Sequence, residues 1–204
     1  MSARRLVALF SCMMFSLFCL SAPLAEARGH DGVYMGMGYT QLFMYTPEQQ
    51  SGGPTLGRVN VGPGFGGNAV VGYDFCGTRW GIQMPFEITT QRLNRAEWPF
   101  EINLGVEAVL HLVEWRNELD FHLVGGAGWN YLTEGGIQNH SRSQGISADL
   151  GPGLSYYFFR GEKSSAALTF EVPFRMVHYF GDHLSGNGTT FIAFPMRISV
   201  QVGF

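Results

Sequence analysis

The chain has 204 residues, of which 46% are hydrophobic, 14% aromatic and only 14% charged, against about 25% charged in an average soluble domain. Its 28 glycines and 9 prolines follow no repeating period, which excludes collagen-like and long-helical architectures, and the length admits one domain or two small ones. All of the 13 basic residues but Lys163 are Arg, and 16 acids bring the formal net charge to −3, so no basic stripe offers itself to nucleic acid.

At the N-terminus Arg4 and Arg5 precede an apolar run from Leu6 to Leu20, and Ala25-Glu26-Ala27 forms a small-x-small site. This is the layout of a cleavable secretory leader, which predicts loss of residues 1–27 and a mature domain spanning 28–204. The apolar run, about 15 residues, is shorter than the roughly 20 that a spanning helix needs, and nothing later is continuously apolar for that length. Bulky Phe18 before Cys19 is a poor fit to a lipidation site. With Cys12 and Cys19 leaving in the leader, Cys76 stands alone and no intrachain disulfide is expected.

From Val33 onward the chain repeats one pattern, a segment of alternating polarity followed by a break rich in Gly, Asn, Pro or charge. Eight such segments are predicted strands, at 33 to 43, 65 to 75, 79 to 90, 100 to 113, 119 to 132, 145 to 158, 166 to 179 and 189 to 204. The third sets Trp80, Ile82, Met84, Phe86 and Ile88 opposite Arg79, Gln83, Glu87 and Thr89. In the fourth, Phe100, Ile102, Leu104, Val106, Ala108, Leu110 and Leu112 alternate with Glu101, Asn103, Gly105, Glu107 and His111. The seventh sets Leu168, Phe170, Val172, Phe174 and Met176 against Thr169, Glu171 and Arg175. In the last, Ile192, Phe194, Met196, Ile198, Val200, Val202 and Phe204 share one face, with Pro195, Arg197, Ser199, Gln201 and Gly203 on the other. Successive side chains of a strand point to opposite faces, so charges occupy one face only.

Which face looks outward decides the class. A soluble sandwich or lipocalin-like barrel shows water a face rich in Lys, Glu and Thr. Here the polar face lacks Lys and carries Gly36, Gly38, Gly72, Gly105, Gly126, Gly128, Gly151 and Gly153, which suits a crowded interior. The apolar face, with aromatics near its ends, suits lipid. Breaks after the second, fourth and sixth segments are short and the others are longer, as in a transmembrane barrel with short periplasmic turns and longer external loops. Lipid offers no hydrogen-bond partner, so the first strand must pair with the last. The predicted fold is all-β: a closed eight-stranded antiparallel transmembrane barrel. Ten strands stay open, because the stretch from Met44 to Gly64 has room for a further hairpin.

Several features together carry a resemblance: the leader and the eight alternating segments, Gly66-Gly67-Asn68-Ala69-Val70-Val71-Gly72-Tyr73-Asp74-Phe75, Gly125-Gly126-Ala127-Gly128-Trp129, Gly151-Pro152-Gly153-Leu154-Ser155-Tyr156-Tyr157-Phe158, and the terminal Phe204. Over the whole mature chain they resemble the small outer-membrane β-barrel proteins of Gram-negative bacteria, the OmpA/OmpX-like group. That resemblance implies residence in the bacterial outer membrane, contact with its lipids and lipopolysaccharide, and a terminal Phe204 read by the barrel-assembly machinery. It leaves function open, since the group includes anchors, adhesion and evasion factors, small pores and a few lipid-modifying enzymes.

The interior is expected to hold Asp74, Arg79, Glu87, Glu101, Glu107, His111, Asp120, His122, Asp149, Glu171, Arg175 and Arg197. An eight-stranded barrel is only wide enough for its own side chains. An ion-pair network of Asp74, Arg79, Glu87, Glu107, Asp149, Glu171, Arg175 and Arg197 is therefore expected to plug it, with Arg175 and Arg197 pairing with Glu107 and Glu171. Gly62-x-Gly64-x-x-Gly67 matches the dinucleotide fingerprint by letter, but it runs into an alternating strand where the fingerprint requires a helix. His178, Asp182, His183 and Ser185 cluster near the outer rim and admit two chemical readings, a lipid A hydrolase and a surface metal site. Their spacing does not match the His-x-Ser-Asn strand motif of the outer-membrane deacylases, and His140 reads as a solvated loop residue. Asn139-His140-Ser141 and Asn187-Gly188-Thr189 serve as loop markers. Trp98, Trp129, Tyr39, Tyr179 and Phe191 near one rim, and Trp80, Phe121, Tyr156 and Phe204 near the other, are expected to be interfacial anchors. The favoured function is a non-enzymatic barrel with a structural, envelope-integrity or surface-interaction role, without cofactor or metal. The alternatives are a small pore or carrier for apolar molecules, suggested by the lumen glycines and by Phe65, Phe191 and Trp98, and a hydrolase using His178, His183 and Ser185.

Overall fold

The alternating segments form a ring of antiparallel strands in a computed structural model that describes residues 30, 32–45, 63–90, 100–133, 142–161, 163–180 and 189–204. Among these residues the strands are β1 (Val33–Tyr45), β2 (Gly64–Asp74), β3 (Trp80–Thr90), β4 (Phe100–Trp115), β5 (Leu119–Thr133), β6 (Arg142–Arg160), β7 (Ser165–Glu171), β8 (Phe174–Phe180) and β9 (Thr189–Gly203). β1 to β6 pair in sequence, and β1 also pairs with β9 from Tyr34↔Gly203 to Tyr45↔Ile192. Among the described residues every strand has a neighbour on both sides, the condition a strand-built membrane span has to meet.

β7 and β8 are two halves of one stave. Both lie between β6 and β9 in a single register, since Gly153 faces Glu171 and Asp149 faces Arg175. The ring thus has eight staves, and the predicted seventh strand, 166 to 179, is interrupted at Val172-Pro173. The cause is covalent, because Pro173 has no N–H to offer its neighbours. The Val172 amide still donates to the Pro152 carbonyl at 3.0 Å. Residues 46–62, 91–99, 134–141 and 181–188, and with them the possible ten-strand arrangement, lie outside the described residues.

At the opposite end the connections are tight. Gly77 (φ 71) closes one turn, with the Thr78 amide donating to the Phe75 carbonyl at 3.0 Å. Arg116 and Asn117 both have φ 57, and the Glu118 amide donates to the Trp115 carbonyl at 3.1 Å. Two successive positive φ values are the mark of a type I′ hairpin, whose twist matches that of the strands it joins.

Burial follows the period of two. Met37 and Leu150 are 74% and 63% exposed on the outside, whereas Arg197 and Glu107 are 4% and 1% exposed inside. The greasy face looks out and the charged face is enclosed. Two bulges shift this alternation near the short turns, one between His111 and Val113 and one between Tyr157 and Phe159. A bulge adds one residue to one strand and changes which face the following residues occupy. Leu112 and Val113 are consequently both exposed, as are Phe158 and Phe159. Beyond the bulges Glu114 and Arg160 meet in an ion pair.

Candidate functional site

The lumen is layered. At its middle, Arg175 and Arg197 stand on β8 and β9 and face carboxylates from four other strands. Arg175 donates through Nε to Asp149 at 3.0 Å and through Nη2 to Glu87 Oε1 at 2.6 Å. Arg197 donates through Nε to Glu87 at 2.8 Å, through Nη2 to Glu107 at 2.8 Å, and through Nη1 to Glu171 at 3.2 Å. Asp149 and Glu171 are immediate cross-strand neighbours of Arg175 and Arg197. Glu87 and Glu107 reach in from β3 and β4 on another part of the wall. Gln83 extends the set by donating to Glu107 at 2.8 Å and Glu171 at 3.1 Å. The pairing differs in part from the sequence expectation: Arg197 takes both Glu107 and Glu171, while Arg175 turns to Glu87 and Asp149. Planar guanidinium forks on carboxylates give the strongest hydrogen bonds available to side chains.

Toward the short turns lies a layer of alternating imidazoles and carboxylates. His111 sits between Asp120 (Nδ1 to Oδ2, 2.8 Å) and Asp74 (Nε2 to Oδ1, 3.2 Å). His122 sits between Asp120 at 3.3 Å and Glu171 at 3.5 Å. The chain Asp74, His111, Asp120, His122, Glu171 thus joins this layer to Arg197. Gly153 makes room for it, since a Cβ there would run into the His122 imidazole. Beside the cluster, a cavity lined by His30, Tyr34, Asp74, His122, Ser155 and Tyr157, among others, has room for about one water molecule.

Toward the long loops, Asn103 donates to Asn130 at 2.8 Å and to Ser147 at 3.3 Å. Beyond them the filling is mostly apolar, with Leu42, Met44, Leu132, Val177, Tyr179, Phe191 and Ala193 packed at the level of the enclosed Glu101 carboxylate, which stands across from Leu132. Tyr179 and Phe191 meet edge to face with ring centroids 5.7 Å apart.

Of the residues assigned to the interior from sequence, Asp74, Glu87, Glu101, Glu107, His111, Asp120, His122, Asp149, Glu171, Arg175 and Arg197 are buried. Arg79 is not: it is part-exposed in the turn before β3, where its carbonyl accepts from the His111 amide at 2.8 Å. Tyr179 and Phe191 are not interfacial anchors, because both are inside the lumen at 0% and 2% exposure. Their parity with Arg175 and Arg197 on the same strands was the available signal. Tyr39, Trp129, Phe121, Tyr156 and Phe204 are on the outer surface. Sequence reasoning missed His30, Tyr34 and Tyr157, and also the Glu114–Arg160 pair, which needs both bulges.

His178 has outward parity on β8, with Nδ1 2.9 Å from Thr190 Oγ1 and its ring edge-on to Phe180. It therefore faces away from the lumen. Asp182, His183, Ser185, His140 and Trp98 lie outside the described residues. Gly64 pairs to β1 and Gly67 to both β1 and β3 within β2, so these two glycines of the fingerprint-like run belong to a sheet, while Gly62 lies outside the described residues. Among the described residues no group of three or more His, Cys, Asp or Glu side chains is placed to hold a metal ion.

No known family model matches the chain, and no curated protein sequence matches it. Solved structures do match. Neisserial surface protein A superposes with a TM-score of 0.61 at 12% identity, covering 88% of this chain and 100% of that one. OprG of Pseudomonas aeruginosa gives 0.49 at 11% identity, covering 88% and 99%. The attachment invasion locus protein Ail of Yersinia pestis gives 0.46 at 14% identity, covering 84% and 99%. The chain has the fold of the small bacterial outer-membrane barrels, and its apolar belt around enclosed charges makes it a transmembrane barrel of that kind.

Proposed function

We propose that this barrel is an integral protein of the bacterial outer membrane, closed to solute passage and without catalysis, which contributes to envelope integrity or presents its long loops to partners outside. In this reading residues 1–27 are the export leader and 28–204 the barrel. The short turns face the periplasm, and the loops stand among lipopolysaccharide. Phe204, whose amide donates to the Val33 carbonyl at 2.9 Å while its side chain is exposed, is the mark taken up by the barrel-assembly machinery.

The observation that carries the reading is that the lumen is filled at two separate levels by the chain's own side chains. Arg175 and Arg197 bridge strands across its middle, and Leu42, Leu132 and Phe191 fill the end toward the loops. A permanently open pore needs a continuous water column, and an apolar carrier needs a vacant apolar pocket. Neither fits a lumen so occupied.

The test has two arms. Purified protein should migrate differently on a detergent gel before and after boiling, the behaviour of a closed barrel that resists detergent. In planar bilayers at neutral pH it should show no steady conductance. Identical migration would remove the barrel, and a steady ohmic channel would remove the closed lumen.

A further inference from the structure

We propose that the ionic layer is a latch, holding shut a seam in the barrel wall between the seventh stave and β9. At the centre of that seam the two strands share no backbone hydrogen bond.

The register locates the missing rung. In an antiparallel ladder the amide and carbonyl of one residue point to the same side, and successive residues address the two neighbouring strands in turn. The Val172 amide donates to Pro152 of β6, so Glu171, Pro173 and Arg175 address β9. The Phe204 amide donates to Val33 of β1, so Ala193, Pro195 and Arg197 address the seventh stave. Glu171 faces Arg197 and Arg175 faces Ala193, which sets Pro173 opposite Pro195. Each should donate to the other's carbonyl, and neither has an N–H. Pro152 likewise has none to return to the Val172 carbonyl. Three backbone carbonyls thus lose their ladder donors inside the apolar belt, where water does not replace them cheaply. The ladder with β9 accordingly stops at Glu171 and resumes at Arg175. On its other edge β9 pairs with β1 without interruption from Gly203 to Ile192.

Side chains close what the backbone leaves unbonded. On the lipid side Phe174 of β8 meets Phe194 of β9 edge to face, with ring centroids 5.5 Å apart. On the lumen side two carboxylates each grip both edges of the seam. Glu87 Oε1 accepts from Arg175 Nη2 of β8 at 2.6 Å and from Arg197 Nε of β9 at 2.8 Å. Asp149 Oδ2 accepts from Arg175 Nη2 at 2.9 Å and from Arg197 Nη2 at 3.3 Å. Glu171 of β7 adds a direct bond from Arg197 Nη1 at 3.2 Å.

The placement of the two arginines distinguishes a latch from mere filling. Each follows its proline by one intervening residue, Met196 or Phe174, so the guanidinium groups flank the defective rung, one from each edge. Filling the lumen requires bulk only. It does not require single carboxylate oxygens shared between the two sides of a broken ladder. Charge-assisted hydrogen bonds are roughly twice as strong as neutral ones, so a few of them can take over from the lost backbone pairs. When the latch weakens, the wall yields at this rung while the β1 edge of β9 stays zipped.

Hydrogen exchange, read by NMR on the protein folded in lipid bicelles, compares the two edges of one strand. The Ala193 and Arg197 amides face the seam, and the Phe194 and Met196 amides face β1. The seam pair should be about tenfold less protected in the native sequence. Glu87→Gln should widen that ratio by about tenfold more, because it removes the charge that both arginines share. Supplying the missing donors with Pro173→Ala and Pro195→Ala together should bring the edges level and make the ratio insensitive to Glu87→Gln. Should that variant not fold, a Phe174→Cys/Phe194→Cys disulfide in a Cys76→Ser background clamps the same rung from outside. Oxidised, it should behave as the restored ladder, and reduced, as the parent. Equal protection on the two edges of the native strand would show that no seam exists. Glu87→Gln loosening both edges alike would show that the network supports the barrel as a whole and latches nothing. The comparison lies within one strand, so its outcome is separate from whether the lumen conducts.

Discussion

The two ends of the lumen are closed by opposite means. From the middle toward the short turns the filling is ionic: Arg197 alone contacts Glu87, Glu107, Asp149 and Glu171. Toward the long loops it is largely hydrocarbon and aromatic, with Leu42, Leu132, Val177 and Phe191 almost fully buried around the enclosed Glu101. The contrast shows where directional information is held. Apolar side chains pack against whatever complementary shape they meet. Enclosed ions, costly to take out of water, recover that cost only in one geometry and tolerate no loss of a partner. The ionic half thus specifies which strands face one another across the barrel, and the apolar half adds cohesion without direction.

The strongest challenge to this contrast is Arg197→Ala, which leaves several enclosed carboxylates short of a cation. It should cost about 4 kcal/mol in reversible urea unfolding from lipid vesicles, and should open no steady conductance, because the apolar cluster still fills the loop-side level. A variant as stable as its parent would erase the distinction between the halves. Leu132→Ala removes packing from the other end and should cost about 3 kcal/mol. It should open no conductance, because the ionic layer still blocks the path; ion flow through it would mean that the apolar cluster is the true seal. Gly153→Ala refines the comparison on a finer scale. Its added methyl enters the space of the His122 imidazole and should cost about 2 kcal/mol by overpacking. Gly125→Ala, on the lipid-facing side against the flexible Leu150 side chain, should stay within about 0.5 kcal/mol of the parent. Equal effects at the two glycines would show that the interior near His122 has slack.

Much of the barrel was legible from residue order because strand periodicity is local. Ile198, Val200 and Val202 against Arg197, Ser199 and Gln201 require nothing but the geometry of an extended chain. The buried carboxylates, imidazoles and guanidinium groups of the lumen followed from the same parity. Tyr179 and Phe191 were misplaced when aromatic character was weighed above parity: each lies in two-residue steps along its strand from Arg175 or Arg197 and shares the inward face. Arg79 shares the parity of Gly81 and Gln83, but it precedes the first residue of β3, and a turn does not preserve a strand's alternation.

The chain's own order of residues determined its class: eight lipid-spanning segments, greasy outside and charged within, with tight turns at one end. These depend on contacts between near neighbours and on the demand that no backbone polar group be left unpaired in lipid. Only the tertiary structure decided that Arg175 takes Glu87 and Asp149, that two bulges bring Glu114 to Arg160, and that His30 returns to the mouth of the lumen. Such pairings depend on how staves distant in sequence are staggered around a closed ring, a quantity that no single segment encodes.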